Sequence, residues 1–513
     1  MKSVLAYLEH AAEAWPDKVA FDTGKKAVSF RQLREQSLAF GAELARAFGG
    51  RTRQPICIML DDPIDELVCM FATLASGNFY VLVDAALPAE RVRLMVQSIS
   101  PMGIVARDAQ ATAGLDADFA VVPYDGEPLP AASGLDTGAP AVLAPIRDAA
   151  VPSDPMCGVF TSGSTGVPKL VVKSHGAMID FVETFAGMFP LCHDDVLASQ
   201  LPLHFDASSK DVYCTLKLGA TCRIVPRMLF SFPAKLTCYL DEMGITTIIW
   251  VPSALRLVAN GDGFATGCVP RKLRNVFFVG EQMYARHLNY WVDNLPDARF
   301  VNLYGSTEVA GNVLFSVCGH MDDEAARVPL GKPFPNVKVM LFDGDREVVE
   351  PGEIGEICVA GGTLSQGYYG DEERTAAAFV PNPLASDGEL MYRTGDLARI
   401  DDDGLFVMAS RRDNQVKHMG YRVELEDVEV AAAAVPGVRE CCCVHDDAED
   451  KLVLFYSADD EMKRELAKAL RGSLPRYMVP TGFVRLDQLP LNANGKIDRV
   501  RLSSGQMVLN SNG

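Results

Sequence analysis

Apolar and polar positions change period repeatedly along the chain, and each change marks an element. Phe30–Arg46 repeats its apolar residues at helical spacing, and Pro55–Leu60 is an apolar run of strand length. Asp65–Ala75 is helical again, and Tyr80–Val83 is strand-like. This alternation predicts an α/β arrangement over 1–150. Ala131–Pro152, rich in Ala, Pro and Gly, reads as a loose connector. From 156 onward, strand-like runs at Thr247–Val251, Asn275–Val279 and Phe300–Leu303 each end at a polar cluster, where open α/β sheets gather their ligands. After residue 330 the pattern turns β-rich: Asn336–Asp343, Gly355–Ala360 and Leu405–Met408 predict a small barrel or sheet. Arg411–Gln415 has no apolar residue and reads as a linker. Beyond it come a helix (Glu424–Ala434), strands (Arg439–His445, Lys451–Ser457), a helix (Asp460–Leu470) and a strand (Gly482–Leu486).

The expected fold class is therefore α/β. A large N-terminal domain, 1–410, has sheets flanked by helices and a small β-rich subdomain. A small mobile α+β C-terminal domain, 411–513, follows. At 513 residues, more than one domain is expected.

Composition narrows the function. A formal charge of −19 argues against wrapping nucleic acid or docking on an anionic membrane. No apolar run reaches membrane-spanning length, and the first ten residues read as a helix start, not a secretory signal. The 13 cysteines include no Cys-x-x-Cys pair. In the run Cys441-Cys442-Cys443, neighbouring strand residues face opposite ways and cannot ligate one metal together. Buried, reduced thiols and a cytoplasmic location are expected.

One segment carries chemistry of its own. Residues 160–169 read Phe-Thr-Ser-Gly-Ser-Thr-Gly-Val-Pro-Lys. Gly163 and Gly166 allow backbone N–H groups to share one concavity suited to anions; Thr161, Ser162, Ser164 and Thr165 add hydroxyls, and Lys169 adds a charge. Val167 and Pro168 separate Gly166 from Lys169, so the segment is not a Walker loop. Strand-like runs flank it on both sides, and Ser174 is a plausible N-cap for a helix at Ala177–Met188.

Several segments, in order, resemble the adenylate-forming superfamily, which includes acyl-CoA synthetases, luciferases and amino-acid adenylation domains. Residues 160–169 resemble its phosphate loop. Tyr304-Gly305-Ser306-Thr307-Glu308 is similar to its Tyr-Gly-x-Thr-Glu segment, and Tyr392–Leu397 to its ribose-binding segment. Arg411–Glu424 resembles the hinge, and Pro490–Arg499 the C-terminal lysine motif. The resemblance implies ATP and Mg²⁺ and a two-step reaction: a carboxylate attacks the α-phosphate to give an acyl-adenylate and pyrophosphate, then a thiol takes the acyl group. It further implies that the loop, with Thr165, holds the β- and γ-phosphates. Glu308 would hold Mg²⁺. Asp396 would accept the ribose hydroxyls with Arg411 beside it. Lys496 would bridge the two anions as they meet, Asp413 would be the hinge residue, and Gly280 and Glu281 would lie at the nucleotide.

Phe205 and Asp206, in Leu203–Ser208, resemble the amino-acid-activating branch, where the aspartate pairs with the substrate's α-ammonium. By the same resemblance, Ala207, Lys210, Ile249, Phe277, Val279, Leu303, Gly311 and Asn312 line the side-chain pocket. An inward Lys210 would favour an acidic or carbonyl-bearing side chain. A Lys210 paired with Asp211 or facing solvent would favour a small or apolar one. Lysine on a short helix is usually solvated, which favours the second. Asp206 could instead be a helix N-cap. With no carrier motif after Lys496, a free-standing enzyme similar to D-alanine–carrier protein ligases is expected. Its acceptor would be a phosphopantetheinylated carrier protein in trans; the alternative is an acyl- or aryl-CoA ligase. Leu170, Ser306 and Ser410 depart from the family's usual residues.

Overall fold

The computed structural model describes residues 1–112, 114–115, 119–126, 139–161, 168–412, 415–446, 449–491 and 497–503. The chain divides into two compact units. One comprises Met1–Asp84, Ile99–Val159 and Leu170–Arg412; the other comprises Ala85–Ser98, Phe160–Lys169 and Asp413–Gly513.

The larger unit is organised by a nine-stranded sheet. Its central strands, Arg299–Tyr304, Asn275–Val279, Thr247–Trp250, Val196–Ser199, Thr221–Ile224 and Val19–Asp22, lie side by side and parallel. The two in the middle, Asn275–Val279 and Thr247–Trp250, are short apolar runs buried on both faces, as parallel strands covered by helices are. Antiparallel strands close both edges. A six-stranded sheet places Pro155–Thr161 beside Lys169–Ser174. The phosphate-loop segment is thus flanked by adjacent strands, as its sequence predicts. The β-rich region folds as an antiparallel sheet containing Val337–Asp343, Gly355–Gly361, Leu390–Ile400 and Phe406–Arg411.

Most elements fall within a few residues of their sequence expectation. Ser174 caps the helix His175–Met188, accepting from the Ala177 N–H at 3.2 Å. Two expectations fail. Ala139–Ala149 is a helix with Pro145 inside it, where a loose connector is expected; its Leu143 is buried in the core and outweighs the proline. Arg411 ends the strand Phe406–Arg411 instead of opening a linker, because its backbone pairs in register with Asp396.

In the smaller unit, the hairpin Gln415–His418/Tyr421–Glu424 precedes a three-stranded sheet of Glu440–Asp446, Lys451–Ser457 and Gly482–Arg485. Cys441 and Cys443 face one apolar cluster and Cys442 another, as strand alternation requires. Cys238 and Cys268 form a disulfide, contrary to the expectation of uniformly reduced thiols; the other 11 cysteines are free. A fold that brings two Cα atoms to 4.9 Å satisfies a pairing that spacing alone does not reveal.

Candidate active site

The ends of the central parallel strands carry the chemistry. Arg299–Tyr304 ends in Tyr304, whose hydroxyl donates to Asp396 Oδ2 at 2.5 Å. Arg411 pairs with the other oxygen, Oδ1, and Asp396 and Arg411 are register partners on adjacent strands. The Asp396 N–H donates to Thr394 Oγ1 at 3.0 Å, and the Thr394 hydroxyl donates to the Ile357 carbonyl at 2.8 Å. Asp396 is thus a buried carboxylate whose orientation is fixed from both sides. Burial first, then the negative charge of Asp396, pushes the Tyr304 hydroxyl pKa well above its ordinary value.

Gly305 is required by close approach: a Cβ there would lie 2.5 Å from the Gly311 carbonyl. Gly311, at φ +79°, would drive a Cβ to 2.1 Å from the Phe181 ring. The Ser306 hydroxyl is buried with no hydrogen-bond partner among the described residues. Glu308 is fully buried and accepts from the Tyr368 hydroxyl at 2.9 Å. Thr307 lies between them in the same segment. Thr161 ends its strand with a buried hydroxyl that has no hydrogen-bond partner among the described residues, and Lys169 opens the next strand. Gly280, at φ +106°, follows Asn275–Val279 directly. Both oxygens of Glu281 are engaged within the protein: Oε2 accepts from the Ser253 N–H at 2.7 Å, Oε1 from the Ser253 hydroxyl at 3.1 Å, and Arg256 is 3.5 Å away. Ser162, Gly163, Ser164, Thr165, Gly166, Asp413 and Lys496 lie outside the described residues.

Ile249 pairs in register with Phe277, and Val279 with Leu303. Strand alternation then puts all four on one face of the nine-stranded sheet, in the cluster that holds Phe181 and Phe185. Phe277 packs against Phe185 and Phe189 at ring distances of 5.1 and 4.9 Å. Phe205 and Ala207 are half-buried beside the helix Ser208–Leu218. Ala207, without a capping side chain, occupies that helix's N-cap position, so Asp206 is not the N-cap.

Asp206 pairs with Lys173 on the strand Lys169–Ser174, a fully buried lysine that the motif reading misses. Its one sequence signal is a lysine inside the apolar run Leu170–Val172, where a buried strand expects none. Lys210 is also buried, 3% exposed, contrary to the expectation of a solvated residue. No hydrogen bond or ion pair reaches its ammonium among the described residues, and Asp211 does not pair with it. Burial lowers the Lys210 pKa, against the opposing pull of Asp206. Burial likewise pushes the Asp211 carboxyl up to about 7, making it a weak neutralising partner. Asn312 is 1% exposed, and neither side-chain polar atom has a hydrogen-bond partner among the described residues. Such orphaned groups are rare and costly, and they mark places where a ligand supplies the missing bonds. Leu170, where the family usually has glycine, fills the space left by Gly158: a Cβ on Gly158 would lie 2.8 Å from the Leu170 side chain.

Residues 8–369 match the family model described as AMP-binding enzyme, and 427–496 match the AMP-binding enzyme C-terminal domain. The chain belongs to the AMP-binding enzyme family. It is an ATP-dependent adenylate-forming ligase of the adenylation-domain type. Tyrocidine synthase 3 of Brevibacillus parabrevis is 32% identical over 96% of the chain, which spans 7% of that protein. Tyrocidine synthase 1 of the same organism is 29% identical over 99% of the chain, which spans 45% of it. The chain thus spans less than half the length of these relatives. Among solved structures, this AMP-binding enzyme resembles IdnL1, with TM-score 0.79 and 29% identity over 96% of this chain and 99% of that one. It also resembles holo-PA1221, a nonribosomal peptide synthetase protein containing adenylation and PCP domains, with TM-score 0.82 and 25% identity over 98% and 84%.

The residues present fit ATP: in the larger unit Ser306 offers a buried hydroxyl that lacks a partner among the described residues, and Asp396 offers a fixed carboxylate. Glu308, a buried carboxylate in the matching segment, has the hard oxygen chemistry that Mg²⁺ takes.

Proposed function

We propose that this enzyme activates an amino acid whose side chain carries a carboxylate or carboxamide. It would form the aminoacyl-adenylate with release of pyrophosphate, then pass the acyl group to the phosphopantetheine thiol of a separate carrier protein. One observation carries the substrate side of this reading: two buried lysines, Lys173 and Lys210, lie near one carboxyl group, Asp206, which pairs with Lys173. The surplus cation and the two orphaned atoms of Asn312 favour an acceptor-bearing ligand.

In this reading Asp206 shares its carboxylate between Lys173 and the substrate α-ammonium. Lys210 and Asn312 meet the side chain, while Ile249, Phe277, Val279 and Leu303 exclude water. Asp396 accepts the ribose hydroxyls, held in place by Tyr304 and Arg411. Glu308 would hold Mg²⁺, which would neutralise phosphate charge. Thr161 and Lys169, with Ser162–Gly166, hold the phosphates that leave. Lys496 stabilises charge that grows as carboxylate and α-phosphate meet, so its benefit is greatest in the transition state.

Lys173 also supports a second reading. With Asp206 already paired to Lys173, an acid lacking an α-amine would not leave Asp206 unmatched, as an acyl- or aryl-CoA ligase requires. Substrate-dependent pyrophosphate exchange separates the two. Acidic and carboxamide amino acids should support exchange at least about tenfold better than apolar ones and than matching dicarboxylic acids without an amine. Exchange with the amine-free acids alone would overturn amino-acid activation, and faster turnover with free CoA than with a loaded carrier would overturn the choice of acceptor.

A further inference from the structure

A second constellation of ligating side chains lies in the smaller unit, among residues that the adenylation chemistry does not use. His418 ends the strand Gln415–His418, His445 lies near the end of Glu440–Asp446, and Asp450 stands in the turn before Lys451–Ser457. Asp450 Oδ1 lies 2.9 Å from His418 Nδ1 and 2.9 Å from His445 Nε2. The three ligand atoms all lie within 4.8 Å of one another. The three side chains are 6%, 8% and 14% exposed, so water does not compete freely for them. The imidazole rings meet edge to face, with centroids 5.5 Å apart and planes at 68°, which aims their nitrogens at one point from different directions.

The geometry points to a divalent transition-metal site, of the kind that takes Zn²⁺, formed by His418, His445 and Asp450. Two imidazoles and one carboxylate are a borderline donor set suited to Zn²⁺ and its neighbours and poorly suited to Mg²⁺ or Ca²⁺. Tetrahedral zinc with bonds of about 2.0–2.1 Å holds its ligand atoms about 3.3 Å apart. The observed 2.9 Å contacts therefore need to open by only a few tenths of an ångström. Each imidazole must turn a bare ring nitrogen to the ion, so the ion competes with protons for the site and uptake weakens as pH falls. Because the ligands come from the hairpin and from the three-stranded sheet, the ion would clip these two pieces of the same unit together. Three protein ligands leave a fourth position for water or a small anion.

The test uses the full chain, stripped of metal with a chelator and titrated with Zn²⁺ alone, without nucleotide. Calorimetry should give one zinc per chain, Co²⁺ should give the visible absorption of a tetrahedral ion, and Zn²⁺ should raise the thermal midpoint. His445→Ala and Asp450→Asn should each weaken binding by about tenfold to a hundredfold or more and abolish the Co²⁺ bands. Asp450→Asn keeps the size of the side chain and guards against misfolding as the explanation. Failure of the wild-type chain to bind, or binding equally strong in both variants, overturns the site and leaves a hydrogen-bonded His–Asp–His cluster.

Discussion

At Asp396 both carboxylate oxygens are engaged, one by Tyr304 and one by Arg411, whereas at Lys210 and Asn312 buried polar groups find no hydrogen-bond partner among the described residues. Both places lie in the larger unit, and both are buried. The first is complete within the protein, with its carboxylate already held in place. The second is left incomplete, so its ligand must supply what the protein omits. A protein tolerates such incompleteness where function needs it and balances it with stability from elsewhere. The comparison therefore predicts opposite responses to mutation.

Removing the carboxylate from the complete cluster should have the largest effect. Asp396→Ala strands Arg411, itself only 17% exposed, and leaves the Tyr304 hydroxyl without its acceptor. Unfolding free energy should fall by about 3–5 kcal/mol, read from the urea midpoint at constant slope. An unchanged midpoint would mean that Arg411 swings to solvent and that the cluster is looser than its hydrogen bonds indicate.

The incomplete cluster should behave in the opposite sense. Lys210→Met replaces a desolvated ammonium with an apolar chain of similar length, and stability should rise, on the order of 1 kcal/mol. With an acidic or carboxamide substrate, kcat/KM should fall by about 10–100-fold, the loss of one hydrogen bond to a charged group at about 1.5–3 kcal/mol. Apolar amino acids should lose little, so the variant should narrow the preference of the panel. A variant that is both less stable and equally inactive toward every acid would assign Lys210 to the scaffold.

How much of this was legible in the sequence follows the same division. The pairing of Asp396 with Arg411 is close to the sequence, since Tyr392–Leu397 and Arg411 lie on paired strands 15 residues apart, whereas Tyr304 reaches Asp396 across 92 residues. The pocket strands Thr247–Trp250 and Asn275–Val279 were legible because each is a short apolar run ending at a polar cluster. The Lys173–Asp206 pair was not legible, because it joins residues 33 apart on a strand and a loop that only the fold brings together. Lys210 was misjudged for a related reason. Helical spacing says which face a side chain occupies, but burial depends on what packs there. The Cys238–Cys268 bridge and the His418–His445–Asp450 cluster are likewise tertiary products whose residues, read singly, look ordinary. The helix at Ala139–Ala149 was hidden by its own proline content.

A smaller effect tests whether burial of a titratable group by itself marks function. His175 lies two residues beyond Lys173 and is also buried, 5% exposed, but its bonds run to the N-terminal segment: Nδ1 accepts from the Val4 N–H at 3.4 Å and lies 3.3 Å from the Ser3 hydroxyl. Burial lowers its pKa from 6.5 to about 4, with only partial opposition from Asp154. The unfolded chain therefore takes up a proton near pH 6.5 that the folded chain refuses until about pH 4. His175 contributes stability above the unfolded value, and that contribution is lost as pH falls through this window, by about 1.4 kcal/mol per pH unit. His175→Gln keeps an acceptor for Val4 and cannot titrate, so the difference between wild type and variant isolates this slope from every other group, including His287, whose pKa burial also lowers to about 4. The stability difference should shrink between pH 6.5 and 4, while substrate selectivity in pyrophosphate exchange at neutral pH stays unchanged. If selectivity moves instead, His175 belongs with Lys173 and Lys210, and the line between structural and functional burial has to be drawn on the far side of the helix His175–Met188.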